Sequence, residues 1–322
     1  MSAATTTNPN AGPCFRDEFL AVWQRLPDKG LYFGLLGAWL ALFQFLGNST
    51  FGYVDTPSLF VWLNNAYSYP GSDDSHGYLI PLVVLALLWW KREQLLAAPK
   101  APWWPALPVF AACLALHIVG YMIQQPRVST VAMFAGIYAL VGLVFGRQLA
   151  AATLFPFVLL GFCVPLGGLL DAVTVPLRQW STNLAVGVAR GLLGIQVVQD
   201  GVQIIDPKGT YAYEVAAACS GIRSLITFLA LTTIYGFVSF TTGWKRLLMV
   251  ALAAPLALGG NLLRLIAIII AAEAFGQGAG HFVHEWFGFV SFLMVLAVMV
   301  GLGHWLREPV AGALRAPVQE PA

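Results

Sequence analysis

The sequence predicts an all-α, polytopic membrane protein of about eight transmembrane helices, with a small helix plus β-hairpin insert before the sixth. Composition is the first observation: 58% of the 322 residues are hydrophobic and only 10% are charged, which is too apolar for a soluble domain. The second is a set of eight long apolar stretches, since about 20 such residues cross a bilayer. The third is one long polar segment that ends in alternating β-branched residues.

The eight stretches are interpreted in chain order as membrane spans. The second is short, but it ends in Trp89, Trp90, Lys91 and Arg92, and such side chains lie at membrane interfaces. The polar start of the chain holds no apolar core with a cleavage site, so the first span is expected to remain as an anchor. The predicted spans are 31–47, 77–92, 105–123, 128–146, 149–168, 219–240, 246–272 and 284–306.

These spans predict a single transmembrane domain over 31–306. A cytoplasmic N-terminal tail at 1–30 is expected before it, and a cytoplasmic C-terminal tail at 307–322 after it. The insert occupies 169–218 and is predicted to be extracytoplasmic.

The insert changes character halfway along. Its first half predicts one or two helices on the outer leaflet rather than a further span, because Asp171, Pro176 and Arg178 interrupt the apolar pattern. Asp200 and Gly201 stand between β-branched runs and predict a β-hairpin, to which 210–215 can add a third strand. An extended peptide could pair with a strand edge near 197–205, but a packed cap without chemistry explains the insert equally well.

Lysine and arginine residues indicate the orientation, because cytoplasmic loops carry an excess of them. With the N-terminus inside, eleven fall on the cytoplasmic side and four outside. Both termini are therefore predicted to be cytoplasmic. The eleven are Arg16, Arg25, Lys29, Lys91, Arg92, Lys100, Arg147, Lys245, Arg246, Arg307 and Arg315, and the four are Arg127, Arg178, Arg190 and Lys208.

Two classes of ligand are not expected. A net charge of +2 without any basic block argues against nucleic acid. The cysteines Cys14, Cys113, Cys163 and Cys219 lack the spacing of zinc ligands. Neither a metal nor a cofactor is therefore predicted, and the expected surroundings are the lipid bilayer.

Three residues of catalytic type meet at the outer face in this topology. Cys219 begins the sixth span and His284 begins the eighth. Arg264 lies in the seventh span, about 13 Å below its outer end at Glu273. Their convergence was not used to derive the orientation and therefore supports it.

Two supporting residues lie one helical turn from these candidates. Asn261 precedes Arg264 and is expected on the same helix face. Arg223 follows Cys219, where a cation would lower the pKa of the thiol. Structural roles remain open for both arginines, because Arg264 can clamp helices together and Arg223 can extend toward the interface.

Two further histidines are predicted to line or support the site. His281 falls in the outer loop, three residues before His284, and His76 falls at the outer mouth of the second span. A helix N-cap formed by Asp74 or Ser75 explains the segment around His76 equally well.

The residue types suit acyl transfer through a thioester. A cysteine attacks as thiolate, and an imidazole can accept its proton and return it to a leaving amine. An arginine stays protonated, and its forked donors suit an oxyanion or a carboxylate. Because Cys163 also falls near the outer face, a Cys163–Cys219 disulfide is the alternative in an oxidising compartment.

Three short motifs carry a family resemblance. The segments ACSGIRSL, NLLRLIAI and HEWFGFVSF, in this order, resemble those of the exosortase/archaeosortase family of membrane cysteine transpeptidases. The upstream segment SHGYLIPLVVLALLWWKR is similar to an early segment of that family. The resemblance implies a site formed by Cys219 in C-S-G, Arg264 in N-x-x-R and His284 in H-E-x-x-G. Either of the last two can then move the proton or stabilise charge.

The resemblance also implies a substrate and a location. The enzyme would cleave C-terminal sorting tails of membrane-anchored exported proteins through an acyl-thioester, and each tail would hold a motif such as Pro-Glu-Pro, one helix and a basic end. A cell-surface or exopolysaccharide group would accept the acyl chain. The expected location is the bacterial inner membrane, with the active site on the extracytoplasmic side.

Two functions of other classes remain open. A membrane transporter or polysaccharide-export component would use Arg264 as an anion site, and paired interrupted helices would favour it. A scaffold of an envelope complex would tolerate Cys219→Ser.

Overall fold

The computed structural model describes residues 14–50, 55–69, 72, 74–166, 171–201, 203–214 and 222–307, with only the backbone for 171–175, 178, 213, 214, 222 and 223. The chain divides into two compact units. One comprises Met1–Ser68 and Ser75–Pro165, and the other comprises Tyr69–Asp74 and Leu166–Ala322. The bounds of the tails and of the single domain at 31–306 stay predictions.

Every described element of the first unit is a helix or a helical turn. Its short helices α1, α3 and α5 are not among the eight predicted spans, because a span prediction depends on a long apolar run. In α1 the apolar side chains Phe15, Phe19 and Trp23 recur every fourth residue, the spacing of one helix face. The helices are α1 (Phe15–Arg25), α2 (Lys29–Leu46), α3 (Leu59–Ser68), α4 (Ile80–Trp90), α5 (Arg92–Ala97), α6 (Ala106–Met122), α7 (Pro126–Phe145) and α8 (Arg147–Leu159), with 3-10 turns at Ser75–Tyr78 and Leu160–Cys163.

The core of this unit lies between α2, α6 and α7. The indole nitrogen of Trp39 donates to the carbonyl of Met133 at 3.0 Å, and its ring occupies the space that a side chain at Gly136 would need. Cys163 is a buried, free thiol, and its carbonyl accepts a hydrogen bond from Tyr67. The disulfide predicted as an alternative for Cys163 is therefore absent from the structure.

The second unit holds the insert and the last helices. One helix occupies the first half of the insert. The predicted span 246–272 is two helices with a break at Leu252, because Pro255 has no N–H to donate to the carbonyl of Ala251. The elements are α9 (Asp171–Gly191), β1 (Val198–Asp200), β2 (Gln203–Ile205), β3 (Ala212–Glu214), α10 (Ile222–Ser239), α11 (Gly243–Ala251), α12 (Ala253–Phe275) and α13 (Gln277–Trp305).

The three strands form an antiparallel sheet in the order β1-β2-β3. Asp200 pairs with Gln203 across the first turn, where Gly201 has a φ of 59° that glycine adopts without strain. The predicted hairpin and its third strand are confirmed. The prediction of an open strand edge near 197–205 is wrong for β2. This strand pairs with β1 on one side and with β3 on the other, so it cannot accept a further strand.

The sheet packs on α9 and α12 within this unit. Tyr211 is buried under the sheet, and its hydroxyl donates to the Glu273 carboxylate of α12 at 3.0 Å. Arg190 of α9 donates from Nε to the carbonyl of Val197 at 2.7 Å. The buried apolar residues of this contact are Ala185, Val186, Ala189, Val197, Ile204, Tyr211, Leu265, Ile269 and Ala272.

Apolar helices lie where the spans were predicted. Four are long and apolar enough to cross a membrane, namely Lys29–Leu46, Pro126–Phe145, Gly243–Phe275 and Gln277–Trp305. Four shorter ones are Ser75–Trp90, Ala106–Met122, Arg147–Cys163 and Ser224–Ser239. The chain is a helical membrane protein, and the number of eight spans stays a prediction.

The last helix differs from its prediction in length. It begins at Gln277 rather than at residue 284, directly after Gly276, whose φ of 84° separates it from α12. Its 29 residues rise about 44 Å, more than the roughly 30 Å of a hydrocarbon core. His281 therefore lies on α13, and its predicted place in a loop is wrong.

Candidate functional site

The candidate site is built where α12 and α13 approach closely. A Cβ at Gly260 of α12 would lie 2.7 Å from Cγ2 of Val295 on α13, so the two backbones can pack this closely only because Gly260 has no side chain. Arg264 lies one turn further along α12 and His284 lies near the start of α13.

Arg264 is bonded to the backbone of His284. Its Nη2 donates to the His284 carbonyl oxygen at 2.7 Å. The bond is to the main chain of His284 and does not involve its imidazole ring. No described carboxylate lies within ion-pair distance of the guanidinium. The two predicted residues are thus brought together by a main-chain contact.

Gly288 forms the wall beside the guanidinium. A Cβ at this position would lie 3.3 Å from Cζ of Arg264 and 3.5 Å from its Nε. The glycine of the H-E-x-x-G motif therefore admits the flat face of the arginine. Arg264 is half-buried. An arginine within a membrane span is costly, about 2.5–3.5 kcal/mol at the centre of a span on insertion scales, so close partners of this kind are expected.

Asn261 supports the arginine from the same helix. It is buried, with 6% of its surface exposed, and it lies one turn before Arg264 as predicted. Both residues line a small polar cavity with residues of α10 and α13. The supporting place assigned to Asn261 from the sequence is compatible with this geometry.

Two histidines follow each other on α13. His284 is half-buried and His281, one turn earlier, is exposed. Residues three apart share a helix face, so both imidazoles lie on one side of the helix. Which of them acts in a reaction stays a prediction.

The predicted nucleophile lies outside the described residues. Cys219 belongs to 215–221, immediately before α10, and Arg223 lies in the first turn of α10 with only its backbone described. The proximity of these two residues to Arg264 and His284 therefore stays a prediction.

His76 belongs to the first unit. It lies in the 3-10 turn Ser75–Tyr78, and its part in the site stays a prediction. The following helix α4 has Leu79 as its N-cap, without a side-chain hydrogen bond. Neither Asp74 nor Ser75 therefore caps α4, contrary to the alternative drawn from the sequence.

Three residues of the site carry roles that the sequence did not reveal, namely Ser224, Gly288 and Ser291. Helix periodicity could have found two of them, because Gly288 lies four residues after His284 and Ser291 lies three residues after Gly288, which is the spacing of one helix face. Within the described part of the chain, no group of three His, Cys, Asp or Glu side chains gathers as metal ligands do. The expectation that no metal or cofactor is used stays a prediction.

The arrangement can stabilise negative charge. A guanidinium with several N–H donors is positioned by a carbonyl on one side and by a glycine on another. Fixed donors of this kind stabilise charge that develops in a transition state, because they need no reorganisation during the reaction.

Comparison with known proteins identifies the family. Residues 62–301 match the family model described as transmembrane exosortase, and this match covers well over half of the chain. No curated protein matches, and no solved structure matches. The resemblance drawn from the three motifs is confirmed by the family match, and the chain belongs to the transmembrane exosortase family.

Proposed function

We propose that the protein is a membrane cysteine transpeptidase that cleaves C-terminal sorting tails of exported proteins through an acyl-thioester on Cys219. Family membership supports a sorting role. The observation that carries the proposal is the hydrogen bond from Arg264 to the His284 carbonyl, because it joins two of the three motif residues across separate helices.

The proposed reaction has two steps. The Cys219 thiolate attacks the scissile carbonyl carbon, the C–N bond breaks, and the amine leaves with the proton that His284 took from the thiol. Water or an acceptor amine then attacks the thioester carbon and gives a proton to His284, the C–S bond breaks, and His284 passes that proton to the departing thiolate. Arg264 stabilises the oxyanion in both steps, since a guanidinium does not release its proton near neutral pH.

The substrates are membrane-anchored exported proteins whose tails hold a short motif, one helix and a basic end. The tail is cleaved on the extracytoplasmic face of the bacterial inner membrane, and a cell-surface or exopolysaccharide group is the acceptor. The charge asymmetry of eleven against four cationic residues supports this orientation. Arg223, His281 and His76 are proposed to line or support the site.

The test is processing of a co-expressed protein that carries such a tail. Cys219→Ser should fold and fail to process it, because a hydroxyl is hardly ionised near neutral pH. Arg264→Ala should reduce processing about 100- to 1,000-fold, the effect of losing a charge-stabilising donor. Arg264→Lys should rescue poorly, because the fork is lost. Accumulation of the uncleaved protein is measured beside the amount of each variant.

Cys113→Ser and Cys163→Ser are the matched controls, because both thiols are free and buried. Both should process the tail at nearly the rate of the wild type. Full processing by a well-expressed Cys219→Ala protein would end the thioester mechanism and favour the scaffold role, which tolerates substitution of Cys219.

A further inference from the structure

A small polar cavity lies among three of the helices that follow the insert. It has a volume of about 30 Å³ and lies between α10, α12 and α13. Its polar wall consists of Ser224, Asn261, Arg264 and Ser291, and its apolar wall includes Phe228. These helices, or the residues directly before them, carry the three family motifs, so the cavity lies at their common contact.

Two hydrogen-bond donors of this wall have no acceptor among the described residues. They are Nε of Arg264 and Nδ2 of Asn261, and both atoms are buried. Buried donors in native proteins are nearly always bonded to protein or ordered water. The pair therefore calls for a further acceptor, and the cavity that both residues line is where one can be held.

The wall also indicates which acceptor fits. The hydroxyl of Ser291 donates to the Gly288 carbonyl at 3.1 Å, so toward the cavity its oxygen can only accept. A halide or a carboxylate would face that lone pair, whereas water can donate to it. One water needs about 10–15 Å³ of such volume, so the cavity of about 30 Å³ has room for at least one.

We propose that an ordered water accepts from Arg264 Nε and Asn261 Nδ2, donates to Ser291, and makes Asn261 a positioning residue for the guanidinium. The arginine is then held on three sides. It bonds the His284 carbonyl, it packs against the backbone of Gly288, and it is linked through the water to Asn261. These three contacts hold the guanidinium of Arg264 in one orientation. Its effect on the reaction rests on the proposed function.

Two substitutions of Asn261 separate this role from packing. Asn261→Leu keeps the volume and removes the polar group, whereas Asn261→Ser keeps a polar group and leaves room for a second water. We expect Asn261→Leu to lower kcat for tail processing about tenfold or more with little change in KM, as expected when a buried donor is left unbonded. Asn261→Ser should retain most of kcat. A packing role predicts the opposite order.

Leu265→Ala is the control on the same helix. Leu265 is buried against the insert and does not line the cavity. It should lower the melting temperature while leaving kcat per folded molecule near that of the wild type. If Asn261→Leu behaves like this control, or processes better than Asn261→Ser, the positioning role is overturned.

A density map that shows ordered water tests the site without any reaction. We expect density within hydrogen-bond distance of Arg264 Nε in the wild type and in Asn261→Ser, and none there in Asn261→Leu. A wild-type map in which Nε bonds a protein atom instead would overturn the water site. Failure of the wild type to process any tail would count against the proposed function alone, because the map decides the water separately.

Discussion

Gly288 shows at the scale of one residue why a motif contains glycine. Its Cα faces the guanidinium of Arg264, and a Cβ there would meet Cζ at 3.3 Å. Contacts this short require the neighbour to shift by a few tenths of an ångström. The arginine would then move away from the His284 carbonyl that it bonds at 2.7 Å.

Gly288→Ala should therefore reduce tail processing without unfolding the protein. Alanine favours a helix over glycine by about 1 kcal/mol, which offsets the local crowding, whereas misplacing a catalytic group by about 1 Å costs roughly 100-fold in rate. We expect about a tenfold loss of processing, measured with the amount of folded protein held equal. Unchanged processing would show that the contact does not position the arginine.

Helix α13 makes close contacts near both of its ends, first with α12 and then with α10. Near its start it contacts Arg264, and near its end Gly303 lies against the ring of Tyr235 on α10. A Cβ at Gly303 would overlap that ring. Helices in membranes approach closely at small residues of this kind, because packing rather than the hydrophobic effect holds them together.

Substitutions of two glycines on α13 test this contact. Gly303→Ala should lower the free energy of unfolding by about 1–3 kcal/mol, the usual effect of overpacking. Gly301→Ala should be neutral or slightly stabilising, because it is exposed and no atom lies within 4 Å of a Cβ there. The measurement is thermal unfolding, monitored as the loss of helix content with temperature. Equal stabilities of the two variants would contradict the contact.

At the scale of the whole molecule, orientation in the membrane decides which side reaches the candidate site. The eleven-to-four asymmetry of lysine and arginine predicts that both termini are cytoplasmic. In this predicted orientation the insert with its sheet would face outward, together with the start of α13 and the end of α12.

Labelling with an impermeant thiol reagent tests the orientation in a background without native cysteines. We expect Asp200→Cys in the sheet turn to be labelled from outside and Thr242→Cys before α11 to be protected. Both positions are exposed in the structure. A permeant reagent that labels both is the control. Reversed labelling would move the site to the cytoplasmic side and remove exported tails as substrates.

The helices and the sheet were predictable because their signals are local. Each predicted span coincides with an apolar helix, and Asp200 with Gly201 marks the turn of the sheet. The errors have local causes as well. Helix α13 continues past its apolar stretch to Gln277, and Pro255 breaks the seventh stretch at Leu252.

By itself the sequence determined the class of the protein, the order of its apolar helices, the sheet and the three motifs, because composition, periodicity and turn chemistry act between near neighbours. Only the tertiary structure decided that Arg264 bonds a main-chain carbonyl of His284, that Gly288 admits its guanidinium, and that β2 is covered on both sides. The polar cavity was decided in the same way. These contacts depend on the distance and rotation of helices far apart in the chain, and no local pattern specifies either quantity.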